Sequence, residues 1–285
     1  MTIYKQYTQA ELDRQYNNRL QVPEFADYIN GWELRSRQVE QQYLAVKNIA
    51  YGDLPREQLD IYPSSKPHAK SLVFIHGGYW QRFDKSFFQF VAMAFHSYDV
   101  TTVILNFPLA PAATIEQIGA SCLKAVQWLQ ANLFSYNGDA EQMYVAGHSA
   151  GAHLMAMLMV DNGEANGPAL GADVFKGACA LSGLFNLVPV QLCEVNEVLQ
   201  MDAATALKNS PTQFKPHIQC PLMLAVGGNE TKEFIDQSTE LYKCWKENIP
   251  ITFSQIAGAN HFSILDDLCD PTTTLHNNMR QLMEI

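Results

Sequence analysis

The chain has 285 residues, 47% of them hydrophobic, and its 29 acidic against 19 basic residues give a net charge of −10. This balance argues against nucleic acid or an anionic membrane surface as a partner, because no cluster of Lys and Arg offsets it. Residues 1–18 lack the apolar core of a signal peptide and no run approaches the roughly 18 apolar residues of a membrane span, so we expect one cytoplasmic domain over residues 1–285 that acts on a small molecule.

The N-terminal part of the chain is predicted to be helical. Aromatic and aliphatic residues among charges favour two helices over Glu11–Arg37, separated by a break at Pro23. This helical segment, at about residues 9–40, is expected to lie over the domain as a cover. Two antiparallel edge strands are predicted next, at Tyr43–Ala50 and Glu57–Tyr62.

Beyond these edge strands, predicted strands alternate with predicted helices. The strands are Ser71–Ile75, Val100–Leu105, Met143–Ala146, Gly177–Leu181, Leu222–Val226 and Ile251–Ile256, and the helices are Lys85–Ser97, Ile115–Ala131, Ala150–Val160 and Lys232–Glu247. Each parallel connection needs a helix to cover it, so the alternation predicts an α/β fold: a mostly parallel central sheet with helices on both faces.

One connection is longer than the others. Residues 182–220 contain a helix-like run at Ala203–Lys208. Insertions at this point lie above the strand ends and tend to shape the pocket, so we interpret the segment as a small cap. A packed connection without a selective role is the alternative.

A Gly-X-Ser-X-Gly pattern spans Gly147–Gly151, at the end of an apolar strand and the start of an apolar helix. This is the context of a nucleophile elbow, in which a strained turn exposes the serine hydroxyl at the sheet edge. Only small neighbours allow strand and helix to approach so closely. Ser149 is therefore the candidate nucleophile.

Two glycines follow the strand Ser71–Ile75 directly, in His76-Gly77-Gly78-Tyr79-Trp80. Such a loop supplies a backbone donor to an oxyanion hole, and the residue after the nucleophile supplies another. The candidate donors are therefore Gly77, Gly78 and Tyr79 from the loop and Ala150 after the serine. An ordinary Gly-Gly turn is the alternative.

An acyl-transfer serine needs a histidine to take its proton and a carboxylate to orient that histidine, and in this arrangement both follow the serine in the chain. Glu230 ends the loop after the strand Leu222–Val226 and is the favoured acid. Glu233 and Asp236 are the alternatives, although a solvated helix face explains them as well.

His261 follows the last predicted strand, among small residues that let its side chain project, and is the favoured base. His217 precedes the strand that leads to Glu230, and His276 lies in a polar terminal helix, so both are weaker rivals. The histidines that flank the motifs, His76, His148 and His153, are expected to hold loops through hydrogen bonds.

With these residues in place, the chain resembles the arylformamidase (kynurenine formamidase) branch of the α/β-hydrolase superfamily. The resemblance runs nearly end to end. Besides the elbow and the His76–Trp80 loop it includes Gln15–Arg19, Leu59–Pro63, Asn106–Pro111, Gly227–Glu230 followed by Glu233-Phe234, and Gly258–Phe262. Some members carry Asp where Glu230 stands, and either acid can orient an imidazole.

The resemblance implies an α/β-hydrolase fold and hydrolysis of a formyl aromatic amide such as N-formyl-L-kynurenine, without a metal or organic cofactor. In agreement, the six cysteines show neither Cys-X-X-Cys spacing nor paired histidines nearby, so no zinc site is predicted. The candidate substrate-binding residues are Tyr79, Trp80 and His148, and the rings of the first two could stack on an aromatic leaving group or simply pack in the core.

Two other functions remain open at the level of sequence. A carboxylesterase acting on short-chain esters, aryl esters or carbamates would use the same catalytic residues. A binding protein of the same fold would keep the cavity and lose catalysis. Whether the chain forms a homodimer is also left open.

Overall fold

A computed structural model describes residues 1–161 and 169–285. The strands in this part of the chain are β1 (Val46–Ala50), β2 (Gln58–Tyr62), β3 (Ala69–Ile75), β4 (Thr101–Leu105), β5 (Gly138–His148), β6 (Gly177–Leu181), β7 (Leu222–Gly227) and β8 (Ile251–Ile256). They form one sheet in the order β1-β2-β4-β3-β5-β6-β7-β8. The pairs β1 with β2 and β2 with β4 are antiparallel and the others are parallel. The predicted mostly parallel α/β fold is thus confirmed.

Helices lie on both faces of the sheet. They are α1 (Gln9–Tyr16), α2 (Asn18–Gln21), α3 (Phe25–Gln42), α4 (Phe90–His96), α5 (Ile115–Asn132), α6 (Ala150–Leu158), α7 (Val188–Gln191), α8 (Asn196–Leu199), α9 (Ala203–Lys208), α10 (Lys232–Trp245), α11 (Ser263–Cys269) and α12 (Thr274–Met283). Alternate residues of β3 enter two separate cores: Val73 packs with α5 and α6, and Leu72 packs with α4 and α11. This period of two is what a strand buried on both faces requires.

Several predicted bounds differ from the structure. Lys85–Ser97 is not one helix: a short 3-10 helix, Lys85–Phe87, precedes α4, because the side chain of Asp84 accepts a hydrogen bond from the Ser86 N–H and caps the first turn separately. The N-terminal segment forms three helices rather than two. The helix α11, which follows His261, was not predicted.

A buried ion pair joins β2 to the 3-10 helix. The ammonium of Lys85 lies 2.9 Å from a carboxylate oxygen of Asp60, with side-chain exposures of 6% and 0%. Lys85 also donates to the amide oxygen of Asn48 at 2.7 Å, and Gln89 donates to the other oxygen of Asp60 at 3.2 Å. Asp60, noted above within Leu59–Pro63, therefore anchors the loop that follows β3.

A second buried contact holds the same loop against α6. The indole N–H of Trp80 donates to Nδ1 of His153 at 3.3 Å, and Nε2–H of His153 donates to the carbonyl of Asn209 at 2.8 Å. Both rings are buried, and burial lowers the pKa of His153 from its ordinary 6.5 to about 4. Protonating Nδ1 would place its hydrogen against the indole N–H, so the neutral ring is the stable form.

Replacing Lys85 by Met should destabilise the fold. The substitution leaves the Asp60 carboxylate buried without its counter-charge, which costs about 3–5 kcal/mol of unfolding free energy. Urea unfolding measures this loss. The control is Lys66→Met, which removes an exposed pair with Asp99 and should cost at most about 1 kcal/mol. Equal losses in the two variants would contradict the role given to Lys85.

The neutral state of His153 should make the fold sensitive to acid. Between pH 6.5 and about 4 the unfolded chain binds a proton at this residue that the folded chain does not, so the free energy of unfolding falls as the pH falls through this window. His153→Gln removes the one proton that this residue takes up on unfolding. The slope of the unfolding free energy against pH should therefore decrease by ~1.4 kcal/mol per pH unit. Urea unfolding across the window measures it, with the exposed His68→Gln as the control that keeps the slope of the parent chain. An unchanged slope in His153→Gln would refute the assignment.

Candidate active site

Ser149 lies in the turn between β5 and α6, with φ 56° and ψ −120°. This is a left-handed conformation that a non-glycine residue adopts only when the surroundings enforce it. The surroundings here are tight: a Cβ on Gly151 would lie 2.0 Å from the carbonyl oxygen of Ile75, and one on Gly147 would lie 2.3 Å from that of Gly151. The two glycines are therefore required for the helix to pack against the ends of β3 and β5.

The structure brings Ser149, His261 and Glu230 together. Nε2 of His261 lies 3.0 Å from Oγ of Ser149, and Nδ1–H donates to Oε2 of Glu230 at 2.7 Å. The side chains of His261 and Glu230 are only 7% and 1% exposed. With Nδ1–H held by the carboxylate, Nε2 is free to accept the proton of the serine hydroxyl.

The carboxylate of Glu230 is itself held by two donors. Its Oε1 accepts the backbone N–H of Gly227 at 2.7 Å and the hydroxyl of Ser182. Ser182, at φ 50°, directly follows β6, and its own N–H donates to Ala225 at 2.8 Å. Sequence reasoning did not single out Ser182, although its position after a strand, at the same sheet edge as the other site residues, is a usable signal.

The rival acids and histidines lie elsewhere. Glu233 and Asp236 both pair with Lys5, at 3.0 and 3.1 Å. Nε2–H of His217 donates to the carbonyl of Leu170 at 3.1 Å. His276 lies in the terminal helix α12, as predicted, but its ring is fully buried and stacks on Phe95 with 5.1 Å between centroids, because α12 packs one face onto the sheet.

The loop after β3 lies against the serine. A Cβ on Gly77 would lie 3.0 Å from the Cβ of Ser149, and Gly78 has φ +113°. Among the described residues, none accepts a hydrogen bond from the backbone N–H of Gly78, Tyr79 or Ala150. Donors of this kind can bind a negatively charged oxygen as it forms.

The loop is supported from below by His76 and its neighbours. Nδ1–H of His76 donates to the carbonyl of Gly77 at 2.7 Å, and its ring is stacked on Phe107 with 4.5 Å between centroids. Burial lowers the pKa of His76 to about 4, so the ring is neutral. Arg56 donates to the side-chain oxygen of Asn106 at 2.8 Å and to the carbonyl of Phe83 at 2.9 Å. This support explains the motif that begins at Asn106, and sequence reasoning did not identify Arg56.

The three candidate substrate-binding residues have different surroundings. Tyr79 and His148 line the cavity, and Trp80 does not. Trp80 does not form part of the predicted leaving-group site: its ring is fully buried and lies edge-on to His153, to which its indole N–H donates a hydrogen bond. Nε2–H of His148 donates to the carbonyl of His261 at 2.8 Å. Burial, and then the neighbouring His261, hold the pKa of His148 well below its usual range, so it is neutral.

A cavity of about 360 Å³ opens at Ser149 and His261. Its walls come from α3, from the loop between residues 77 and 83, from the N-terminal residues between 13 and 19 and from the long connection between residues 193 and 198. Within residues 1–161 and 169–285, no three His, Cys, Asp or Glu side chains are grouped as a metal site requires. No helix in the same ranges is long and apolar enough to cross a membrane.

Several known proteins are similar to this chain in sequence and in fold. The kynurenine formamidase of Danio rerio is 29% identical over 95% of this chain and 94% of its own length. That of Salmo salar is 26% identical over 95% of each chain. The crystal structure of a protein from Silicibacter sp., named as a candidate thioesterase, superposes with a TM-score of 0.83 at 27% identity, covering 93% of this chain and 97% of that one. The two kynurenine formamidases confirm the resemblance to arylformamidases.

A family model also matches the chain. The BD-FAE family model aligns with residues 59–251, more than half of the chain, and the matched range includes β2 to the start of β8 with Ser149 and Glu230. The chain therefore belongs to the BD-FAE family and is a hydrolase with the α/β-hydrolase fold.

Proposed function

We propose that the chain is a serine hydrolase that removes a small acyl group, formyl above all, from an aromatic amide such as N-formyl-L-kynurenine. The observation that carries this proposal is the continuous hydrogen-bonded series from Ser149 through His261 to Glu230. The two relatives named kynurenine formamidase, each aligned over 95% of this chain, support the formyl group and the aromatic amine.

In the first half of the reaction, His261 takes the proton of Ser149 at Nε2 while the serine oxygen attacks the formyl carbon. The carbonyl oxygen becomes negative and accepts the free N–H groups of Ala150 and of Gly78 or Tyr79. Glu230 holds Nδ1–H and stabilises the imidazolium. The imidazolium then protonates the amine, the C–N bond breaks and the formyl group stays on the serine.

In the second half, water replaces the amine. His261 takes one proton from the water as the water oxygen attacks the formyl ester. The C–O bond to Ser149 then breaks, His261 returns that proton to the serine oxygen, and formic acid leaves and ionises to formate in solvent. Formyl has only hydrogen beside its carbonyl. The surroundings of Ser149 suit a small acyl group. The serine is only 2% exposed, and a Cβ added at Gly77 would lie 3.0 Å from the Cβ of Ser149.

We also infer how the parts of a single domain serve this reaction. The N-terminal helices act as a cover and the connection from residue 182 to residue 220 acts as a cap. Both contribute residues to the cavity walls, which supports these roles. The aromatic amine would then leave between them.

Ser149→Ala should abolish turnover and leave the fold intact. Without the nucleophile, kcat is expected to fall roughly 10⁴- to 10⁶-fold. Steady-state hydrolysis measures the rate, and mass spectrometry after a fluorophosphonate probe measures labelling of the serine. The control is Ser86→Ala, an exposed serine in the 3-10 helix, which should keep both rate and labelling. Near-normal turnover in Ser149→Ala would rule out the mechanism.

A carboxylesterase is the second candidate, since the Silicibacter relative is named as a candidate thioesterase and the same site would cleave esters. A panel of N-formyl-L-kynurenine, formanilide, an aryl carbamate and 4-nitrophenyl acetate separates the two. We expect the highest kcat/KM on a formamide. Ester cleavage without any formamide cleavage would replace the first proposal by the second, and no labelling of folded protein at Ser149 would favour a non-catalytic binding protein.

A further inference from the structure

The segment Gln15–Arg19 is not explained by the proposed chemistry, although it ends at the cavity. Asn18 and Arg19 begin α2, and both line the cavity that opens at Ser149. Asn18 is only 7% exposed, and its side chain makes no hydrogen bond to any described residue. Because Asn18 lies on the cavity wall, the donors and the acceptor of its amide are open to the cavity and available for a ligand.

A second arginine lines the same cavity from the loop after β3. Among the described residues, neither Arg19 nor Arg82 forms an ion pair or a side-chain hydrogen bond, and Arg19 instead lies over the ring of Phe25 with 5.1 Å to its centroid. Burial, and then the positive charge of Arg82, lower the pKa of Arg19. The two guanidinium groups are thus near enough to repel each other, and an anion between them would relieve the repulsion.

The cavity also has acidic residues, which limit the kind of anion that fits. Asp13 accepts the N–H of Glu194 at 2.8 Å, and the side chains of Glu194 and Glu197 are exposed at the same cavity. A phosphate or another multiply charged anion would be repelled by them. A single carboxylate is matched by a guanidinium fork and an amide, and an ammonium on the same ligand would be attracted by the glutamates.

We propose that Asn18, Arg19 and Arg82 form a carboxylate subsite of the active-site cavity, so that the preferred substrate is an aromatic formamide whose side chain carries a free carboxylate. This inference rests on the proposed function and adds a specificity determinant to it. In a chain of net charge −10, an anionic substrate needs local positive charge to enter the site. Arg19 and Arg82 provide that charge in the cavity that opens at Ser149, Asn18 adds amide hydrogen bonds, and none of the three takes part in bond making.

The test compares two substrates that differ only at the carboxylate: N-formyl-L-kynurenine and its α-carboxamide. We expect the ratio of kcat/KM values, acid over amide, to exceed about ten in the parent chain, because a hydrogen bond to a charged group is worth that much or more. Arg19→Gln and Arg82→Gln should each reduce the ratio several-fold, and the double variant should bring it near unity. Asn18→Asp, which sets a negative charge against the carboxylate, should lower it further.

The matched control is Arg14→Gln, an exposed arginine of α1 that does not line the cavity and should leave the ratio unchanged. A ratio near unity in the parent chain, or one that survives Arg19→Gln together with Arg82→Gln, would overturn the subsite. If the parent chain cleaves no formamide, the proposed function fails and the subsite is judged by calorimetry, with L-kynurenine and its carboxamide titrated into Ser149→Ala. Tighter binding of the acid, lost in Arg19→Gln, supports the subsite, and equal binding refutes it.

Discussion

The helix α6 packs directly against the end of β3, and the geometry of the candidate active site follows from this close contact. Because Gly151 has no Cβ, the helix can approach within van der Waals contact of the Ile75 carbonyl, and the chain then has to pass through a left-handed turn at Ser149. That turn places the hydroxyl at the carboxyl edge of the sheet. It also leaves the Ala150 N–H, the first of the helix, without an acceptor among residues 1–161 and 169–285.

Parallel strands bring the remaining groups to the same edge. Glu230 follows β7, His261 follows β8 and Ser182 follows β6, so residues distant in the chain meet where neighbouring strands end. Buried neutral histidines then hold the loops: His148 binds the backbone of His261, and His76 binds that of Gly77. Because burial keeps both rings neutral, they support the site without adding charge to it.

Sequence patterns predicted the sheet, the elbow and the three members of the series, because strand ends, small residues and chain order are local signals. These patterns left open or missed the residues whose role depends on burial in the folded chain. For Trp80 the sequence allowed either a contact with the substrate or packing in the core, and burial with a hydrogen bond to His153 places its ring in the core. Arg56 was not identified, because no residue near it in the sequence indicates that its guanidinium contacts Asn106.

Periodicity and motifs a few residues long were enough to predict the strands and helices in chain order, the candidate nucleophile and the family resemblance. They could not show which carboxylate meets His261, which histidines are held neutral in the core or which arginines face the cavity. Those outcomes depend on distances between segments far apart in the chain.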